Sequence, residues 1–163
     1  MTCSRWYCVP DLTAVAVRNA IAIDIPAIVR VDHLTSPSPW SEQSLSRYCP
    51  QSPADSHNAL VAEVGEELAG FLIYSRVLEE ANIDNIAVHP QQQGQGIGRA
   101  LVQTALGAMP QKGIRRCLLE VRESNVAARA LYENNGFVVD GVRPRYYKTE
   151  QGREDALLMS RRF

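Results

Sequence analysis

Three glycines, at 94, 96 and 98, crowd the stretch IAVHPQQQGQGIGRALV that runs from residue 86 to 102. An apolar run precedes them. A helical pattern follows, with Val102, Ala105, Leu106 and Met109 at i, i+3, i+4 and i+7. Glycine inside regular structure gives up roughly 1 kcal/mol relative to alanine. Crowding it at one junction points to a strand that turns abruptly into the first turn of a helix. Such a terminus exposes unpaired N–H groups and a partial positive charge, and glycines let the backbone close on an anion without Cβ clashes. Each such interaction contributes roughly 0.3–1 kcal/mol when exposed and about 2 kcal/mol when partly buried. A plain turn needs one glycine, so three favour a cradle for a pyrophosphate.

The identity of the phosphate ligand narrows by exclusion. A Walker loop ends in G-K-[ST], whereas Gly98 is followed by Arg99-Ala100. A dinucleotide fingerprint needs G-x-G-x-x-G/A. From Gly94 its last place falls on Arg99 and from Gly96 on Leu101, so both registers fail. Glu120 does stand about where a ribose-binding carboxylate would. The chain is nevertheless too short for two mononucleotide halves, and this remains a minor alternative.

The remaining chain alternates strand and helix patterns. TAVAVRNA (13–20) alternates as a first strand, and Asp24 is placed to cap a helix from Ile25-Pro26. TSPSPW breaks the chain. Ser41 caps a short second helix through about Tyr48, and CPQSP is a loop. ALVAEV and LAGFLIYSRVLEE form a hairpin about GEE, and ANIDNIAV follows as a strand after a break near Glu80. A helix from Gly98 to about Ala108 leads to the strand RRCLLEV. A helix from about Asn125 to Asn134 ends at Gly136. FVVDGVRPRYY and DALLMSRR close the chain as strands around the polar loop KTEQGRE. The pattern is an α/β domain with a mixed sheet, in which residues 82–121 form a right-handed parallel crossover.

At 163 residues this is one domain, 13–163, behind a loose leader, 1–12. The net charge of −1 supplies no basic field, so direct nucleic-acid binding is not expected. No apolar run reaches membrane-spanning length, and MTCSRWYCVP lacks the apolar core of a signal peptide, which points to the cytoplasm. Cys3, Cys8, Cys49 and Cys117 fit no C-x-x-C pattern and read as free thiols. His33, His57 and His89 have no ligand spacing, so no metal is expected.

The pattern that does fit the junction is Q-x-x-G-x-G at Gln93, Gly96 and Gly98. It resembles the coenzyme A signature of the Gcn5-related N-acetyltransferases (GNAT). PWSE (39–42), NIAVHPQQQGQGIGRALV, LEVRESNVAARALYENNGF and RYYKTEQGREDALLM together resemble its RimI-type subgroup, which acetylates the N-terminal alanine of a small-subunit ribosomal protein. The resemblance implies a GNAT fold, a single domain whose mixed, largely antiparallel sheet is flanked by about four helices. It implies acetyl-CoA as co-substrate, a ribosomal-protein N-terminus as acceptor, and a monomer or weak dimer. It places the pyrophosphate on the backbone of Gln93, Gly94, Gln95, Gly96, Ile97, Gly98 and Arg99. It places the pantetheine arm along Ile86, Ala87 and Val88 as an added strand, with the Val88 N–H on the thioester carbonyl.

Glu120 interrupts CLLEV on the strand face shared with Arg116, Leu118 and Arg122. From the residues alone, a solvated face with Glu–Arg pairs explains it as well as catalysis does; the resemblance makes it a general base acting through water. Helical spacing puts Asn125, Ala128 and Tyr132 opposite the apolar positions Val126, Ala127, Ala130 and Leu131. Tyr132 is then a surface tyrosine or a cleft residue. The resemblance makes it the acid that protonates the leaving thiolate and makes Asn125 a cofactor contact. RPRYY (143–147), the loop 148–154 and the segment around Trp40 wall the acceptor. Two departures stand out: the leader through Pro10 is extra, and Pro144 sits on the acceptor side. Transfer to lysine side chains or to a small-molecule amine is the alternative.

Overall fold

The computed structural model describes residues 15–50 and 58–163; the leader 1–12, Cys3, Cys8, His57 and part of the CPQSP loop lie outside them. The elements are β1 (Val15–Asn19), α1 (Ile25–Thr35), α2 (Glu42–Leu45), β2 (Ala59–Val64), β3 (Glu67–Val77), β4 (Glu80–Val88), α3 (Ile97–Ala108), β5 (Arg116–Arg122), α4 (Val126–Glu133), β6 (Val138–Thr149) and β7 (Gly152–Arg162). Their order is the one read from the sequence. The seven strands form one sheet, β1-β2-β3-β4-β5-β7-β6. Among the described strands β4–β5 pair in parallel and every other neighbouring pair is antiparallel. Parallel pairing needs a crossover, and α3 supplies it.

The sheet separates two cores. On one face α3 buries Ile97, Leu101, Val102, Ala105 and Leu106 against Leu72, Ile83, Cys117, Leu119 and Met159. On the other, Ile25, Ile28 and Val31 of α1 and Leu45 of α2 cover Val61, Phe71, Ile73 and Ala87. Each large side chain so buried contributes about 1.5–3 kcal/mol. Gly70 lets β3 pass close beneath the end of β4. A Cβ there would stand 2.8 Å from the Ala87 carbonyl oxygen.

Several local expectations are corrected. Asp24 makes no side-chain cap on α1. Its carboxylate instead accepts two hydrogen bonds from the Arg18 guanidinium, both 2.8 Å, and one from the Ile21 N–H. Ser41 does cap α2, accepting from the Ser44 N–H, but that helix ends at Leu45 rather than Tyr48. The supposed loop 148–154 is mostly ladder, with Lys148 opposite Arg153 and Thr149 opposite Gly152. The strand read as FVVDGVRPRYY therefore runs on through Lys148 and Thr149, an exposed polar end of an edge strand where alternation gives no mark. In α4 the inward face is also different: Val126 is 70% exposed while Tyr132 is buried. Phe137 meets the Tyr132 ring edge-on, with ring centroids 5.7 Å apart, and this tertiary contact overrides the helical stripe.

One irregularity shapes the centre of the sheet. β4 and β5 pair from Glu80–Arg116 only as far as Ile83–Leu119, although both strands continue. At that point β4 carries an extra residue, Asp84, between the partners of Ile73 and Tyr74. A bulge bends its strand and increases the twist. Beyond it the strands part.

Candidate active site

The gap between the strands opens into a cleft of about 770 Å³, continuous with a smaller cavity of about 220 Å³. Both helical layers line the larger one: Thr35 to Trp40 from the α1–α2 side, and Gly96 to Arg99 with Ala128, Leu131 and Tyr132 from the other.

Its floor on one side is the free edge of β4. The His89 N–H bonds the Ala69 carbonyl across to β3. Alternation along an antiparallel ladder then turns the N–H groups of Ala87 and Asn85 toward β3, and those of Val88 and Ile86 toward the gap. The Gln93 side-chain amide donates to the Val88 carbonyl at 3.1 Å, tying the turn to the strand end. Asn85 donates to the buried Asp32 carboxylate at 3.1 Å, which also accepts the Trp40 N–H at 2.7 Å. One carboxylate thus fixes α1, the loop after it and the parted strand to one another.

The three glycines divide the work of the turn. Gly94 and Gly96 have φ of +78° and +82°, the left-handed region that favours glycine, with open space around each. Gly98 is helical. A Cβ on it would come to 3.4 Å of Leu131, so here the missing side chain lets α4 approach. The first bond inside α3 runs from the Ala100 N–H to the Gly96 carbonyl, so the N–H groups of Ile97, Gly98 and Arg99 precede the helical ladder.

The sequence-predicted residues fall around this cleft. Ile86, Ala87, Val88, Gln93, Gly94, Gly96, Ile97, Gly98, Arg99, Asn125 and Tyr132 line the larger cavity, and Asn125 and Tyr132 line the smaller one too. Gln95 is exposed and lines neither. Glu120 lines the smaller cavity, on the face opposite the buried Cys117, Leu119 and Val121, as alternation requires. Its Oε1 forms an ion pair with Arg143 Nη1 at 2.9 Å. Asn125 caps α4, its Oδ1 accepting the Ala128 N–H at 3.1 Å. Burial pushes the Tyr132 hydroxyl above the ordinary tyrosine range, with Tyr147 and Cys117 acting in the same direction. Of the two adjacent tyrosines, Tyr147 faces both cavities and Tyr146 lies outside them.

Sequence reasoning missed four contributors. Asp32 and Asn85 read as ordinary polar positions, though a polar residue amid the apolar helix pattern at 32 was a usable signal. Arg122 stacks on Tyr147, its Cζ 4.3 Å from the ring centre, and pairs with Glu154 at 3.3 Å. Asp84, the bulge residue, accepts from Ser75 and Asn82 through Oδ1, while its buried Oδ2 has no hydrogen-bond partner.

Residues 25–137 match the Acetyltransferase (GNAT) family. The Escherichia coli (strain K12) protein named [ribosomal protein bS18]-alanine N-acetyltransferase is 37% identical over 137 residues, covering 84% of this chain and 90% of its own. The crystal structure of the ribosomal-protein-S18-alanine N-acetyltransferase from Escherichia coli superimposes with a TM-score of 0.80 at 34% identity, over 90% of this chain and 92% of that one. The yncA structure from Salmonella typhimurium, solved with its cofactor acetyl-CoA, shares the fold, with a TM-score of 0.73 at 20% identity over 92% and 94% of the two chains.

Proposed function

The chain belongs to the acetyltransferase (GNAT) family, and from that premise we propose that it transfers the acetyl group of acetyl-CoA to the N-terminal α-amine of a ribosomal protein, on alanine, in the cytoplasm. The observation that carries this reading is the parting of β4 and β5. It brings unpaired main-chain donors and the side chains of Glu120 and Tyr132 along one continuous cleft. The choice of acceptor is supported by the activity for which relatives matching most of the chain are named.

The residues present suit acetyl-CoA. The left-handed Gly94 and Gly96 leave free space over the first turn of α3, where N–H groups on Ile97, Gly98 and Arg99 are available to a pyrophosphate. The turn from Gln93 to Arg99 would hold it. Ile86, Ala87 and Val88 would pair with the amide-bearing arm as a strand edge does, and Asn125 would contact it beside α4. Acetyl-CoA supplies the acetyl thioester.

This chain's groups then act on defined atoms. The Val88 N–H donates to the carbonyl oxygen as negative charge develops there, a contribution worth about 10²–10³ in rate for one such donor. Glu120 takes the proton of the attacking amine by way of water, and the Tyr132 hydroxyl gives its proton to the departing sulfur. The demand on Glu120 is small for an α-amine. With a pKa near 7.8 it is on the order of 10% neutral at pH 7, against well under 0.1% for lysine near 10.4. The reading takes transfer as direct: among the described residues the cysteines are Cys49 and Cys117, both buried, and burial pushes their thiols up to about 11 and about 12, so neither offers a thiolate to carry the acetyl group.

Mass spectrometry of products tests the assignment, with an Ala-initiated ribosomal-protein peptide set beside an N-blocked lysine peptide and a polyamine. Acetylation confined to the free α-amine is expected. Preferential modification of lysine or polyamine would replace the acceptor while leaving the donor in place.

A further inference from the structure

Glu120, the base in the reading above, faces the smaller cavity but carries an ion-pair partner on one of its two oxygens. Arg143 Nη1 stands 2.9 Å from its Oε1, with side-chain exposures of 49% for the arginine and 27% for the glutamate. The guanidinium has a second surface to rest on: its Cζ lies 4.7 Å from the centre of the Tyr146 ring. The backbone that carries it is irregular. Between the pairs Arg143–Ala156 and Tyr147–Glu154 the ladder breaks, so that Pro144, Arg145 and Tyr146 stand opposite Asp155 alone. Arg145 takes a φ of +54°, with its N–H held by Asp155 Oδ1 at 2.7 Å. Arg143 is therefore the last paired residue before a bulge, on an edge strand, reaching across β7 to a carboxylate on β5.

The geometry points to Arg143 as a displaceable stopper on Glu120, a positioning residue that keeps the base from activating water until an acceptor's ammonium takes its place. The inference rests on the acetyl-transfer reading and concerns what the same site does when no acceptor is bound. A general base working through water, beside a bound thioester, can also drive hydrolysis. In that side reaction the oxygen of water bonds to the carbonyl carbon and the carbon–sulfur bond breaks. Acetic acid leaves, and the other water proton reaches the sulfur to give the free thiol of CoA. A guanidinium beside Glu120 Oε1 competes with water for that oxygen and stabilises the unprotonated carboxylate, so it weakens the base. An incoming α-ammonium brings the same charge to the same carboxylate by way of the intervening water, together with the rest of a peptide along the cleft, and so displaces it. A half-exposed pair of this kind is worth a factor of about five at most, small enough to yield to a bound peptide.

The test is acceptor-independent release of CoA thiol from acetyl-CoA, read beside peptide kinetics, for wild type, Arg143→Ala, Arg143→Gln, Arg143→Lys and the double variant Arg143→Ala with Glu120→Gln. The Ala and Gln variants should raise thiol release about fivefold and lower the peptide KM by up to the same factor. Gln keeps the stem against Tyr146 and guards against loss of folding. The Lys variant, which keeps the charge, should stay near wild type, and the double variant should lose the gain. A structural role alone would not raise a hydrolysis rate. Unchanged thiol release, a gain that survives in the double variant, or a raised KM would overturn the role of Arg143. If wild type acetylates no amine at all, it is the acetyl-transfer reading that fails; if it acetylates peptide while the Arg143 variants release no extra thiol, only the stopper fails.

Discussion

Along β4 and the turn into α3, the cleft is walled by main chain: strand-edge N–H groups at Ile86 and Val88, two left-handed glycines, and the opening turn of a helix. Along β5 and β6 it is walled by the side chains of Glu120, Arg122 and Tyr147, which ion pairs and ring contacts join to each other, to Glu154 and to Arg143 over a bulged edge strand. Main-chain donors are fixed by the fold and have no rotamers to lose, so they suit a ligand that never changes. Charged side chains on an irregular strand exchange partners at a cost of about 1 kcal/mol or less, which suits a site that must admit and release a polypeptide end.

The largest effects expected of this contrast are on turnover. Glu120→Gln and Tyr132→Phe should each lower kcat by about 10²-fold while leaving acetyl-CoA affinity within about twofold, measured by steady-state rates and calorimetric titration. A parallel collapse of acetyl-CoA affinity would show that the two walls are not separable. pH adds a second reading. Because burial raises Tyr132, its neutral form is kept as pH rises through the ordinary tyrosine value near 10, so it should cause no alkaline fall in kcat below that point. A fall centred at pH 8–9 that vanishes in Tyr132→Phe would show the hydroxyl ionising below the ordinary tyrosine value and overturn the effect of burial.

Next in size is stabilisation by ligand. Acetyl-CoA at about 100 times its Kd should add about 2.7 kcal/mol and raise the melting temperature, whereas an acceptor peptide alone, meeting only the side-chain wall, should shift it less. Equal shifts would erase the distinction. Smaller again are two glycine substitutions at opposite ends of α3. Gly96→Ala forces a Cβ into the left-handed region and should cost about 1–2 kcal/mol together with acetyl-CoA affinity. Gly107→Ala, inside α3 with open space around it, should stabilise by about 0.4–1 kcal/mol and leave binding alone. Matching signs in thermal unfolding of the two variants would refute the special role of the turn.

The same contrast explains what could be read before the fold was seen. The main-chain wall was legible because backbone geometry demands particular residues: glycine at a positive φ leaves a mark at 94 and 96, and the apolar periods of NIAV and α3 place the strand and helix on either side. Element order was legible for the same reason. The side-chain wall was not. That Arg143 reaches Glu120, that Asp32 holds Asn85, and that Tyr132 turns inward against Phe137 depend on residues between 5 and 53 positions apart meeting in space. Spacing along one helix put Val126 inside and left Tyr132 undecided, and the packing of the sheet reversed the first and settled the second. Charged strands on an edge, such as the end of β6, carry no alternation and passed for loop.

Where β4 and β5 separate beyond Ile83 and Leu119, the sheet leaves rungs vacant in its own interior. With nothing bound, those rungs are served by solvent, so the amides of Ile86 and Val88 should trade hydrogen for deuterium far faster than those of Ala87 and Asn85, which face β3 on the same strand. A strand read residue by residue in this way would flicker between fast and slow, and the flicker would die out when a ligand lies down along it.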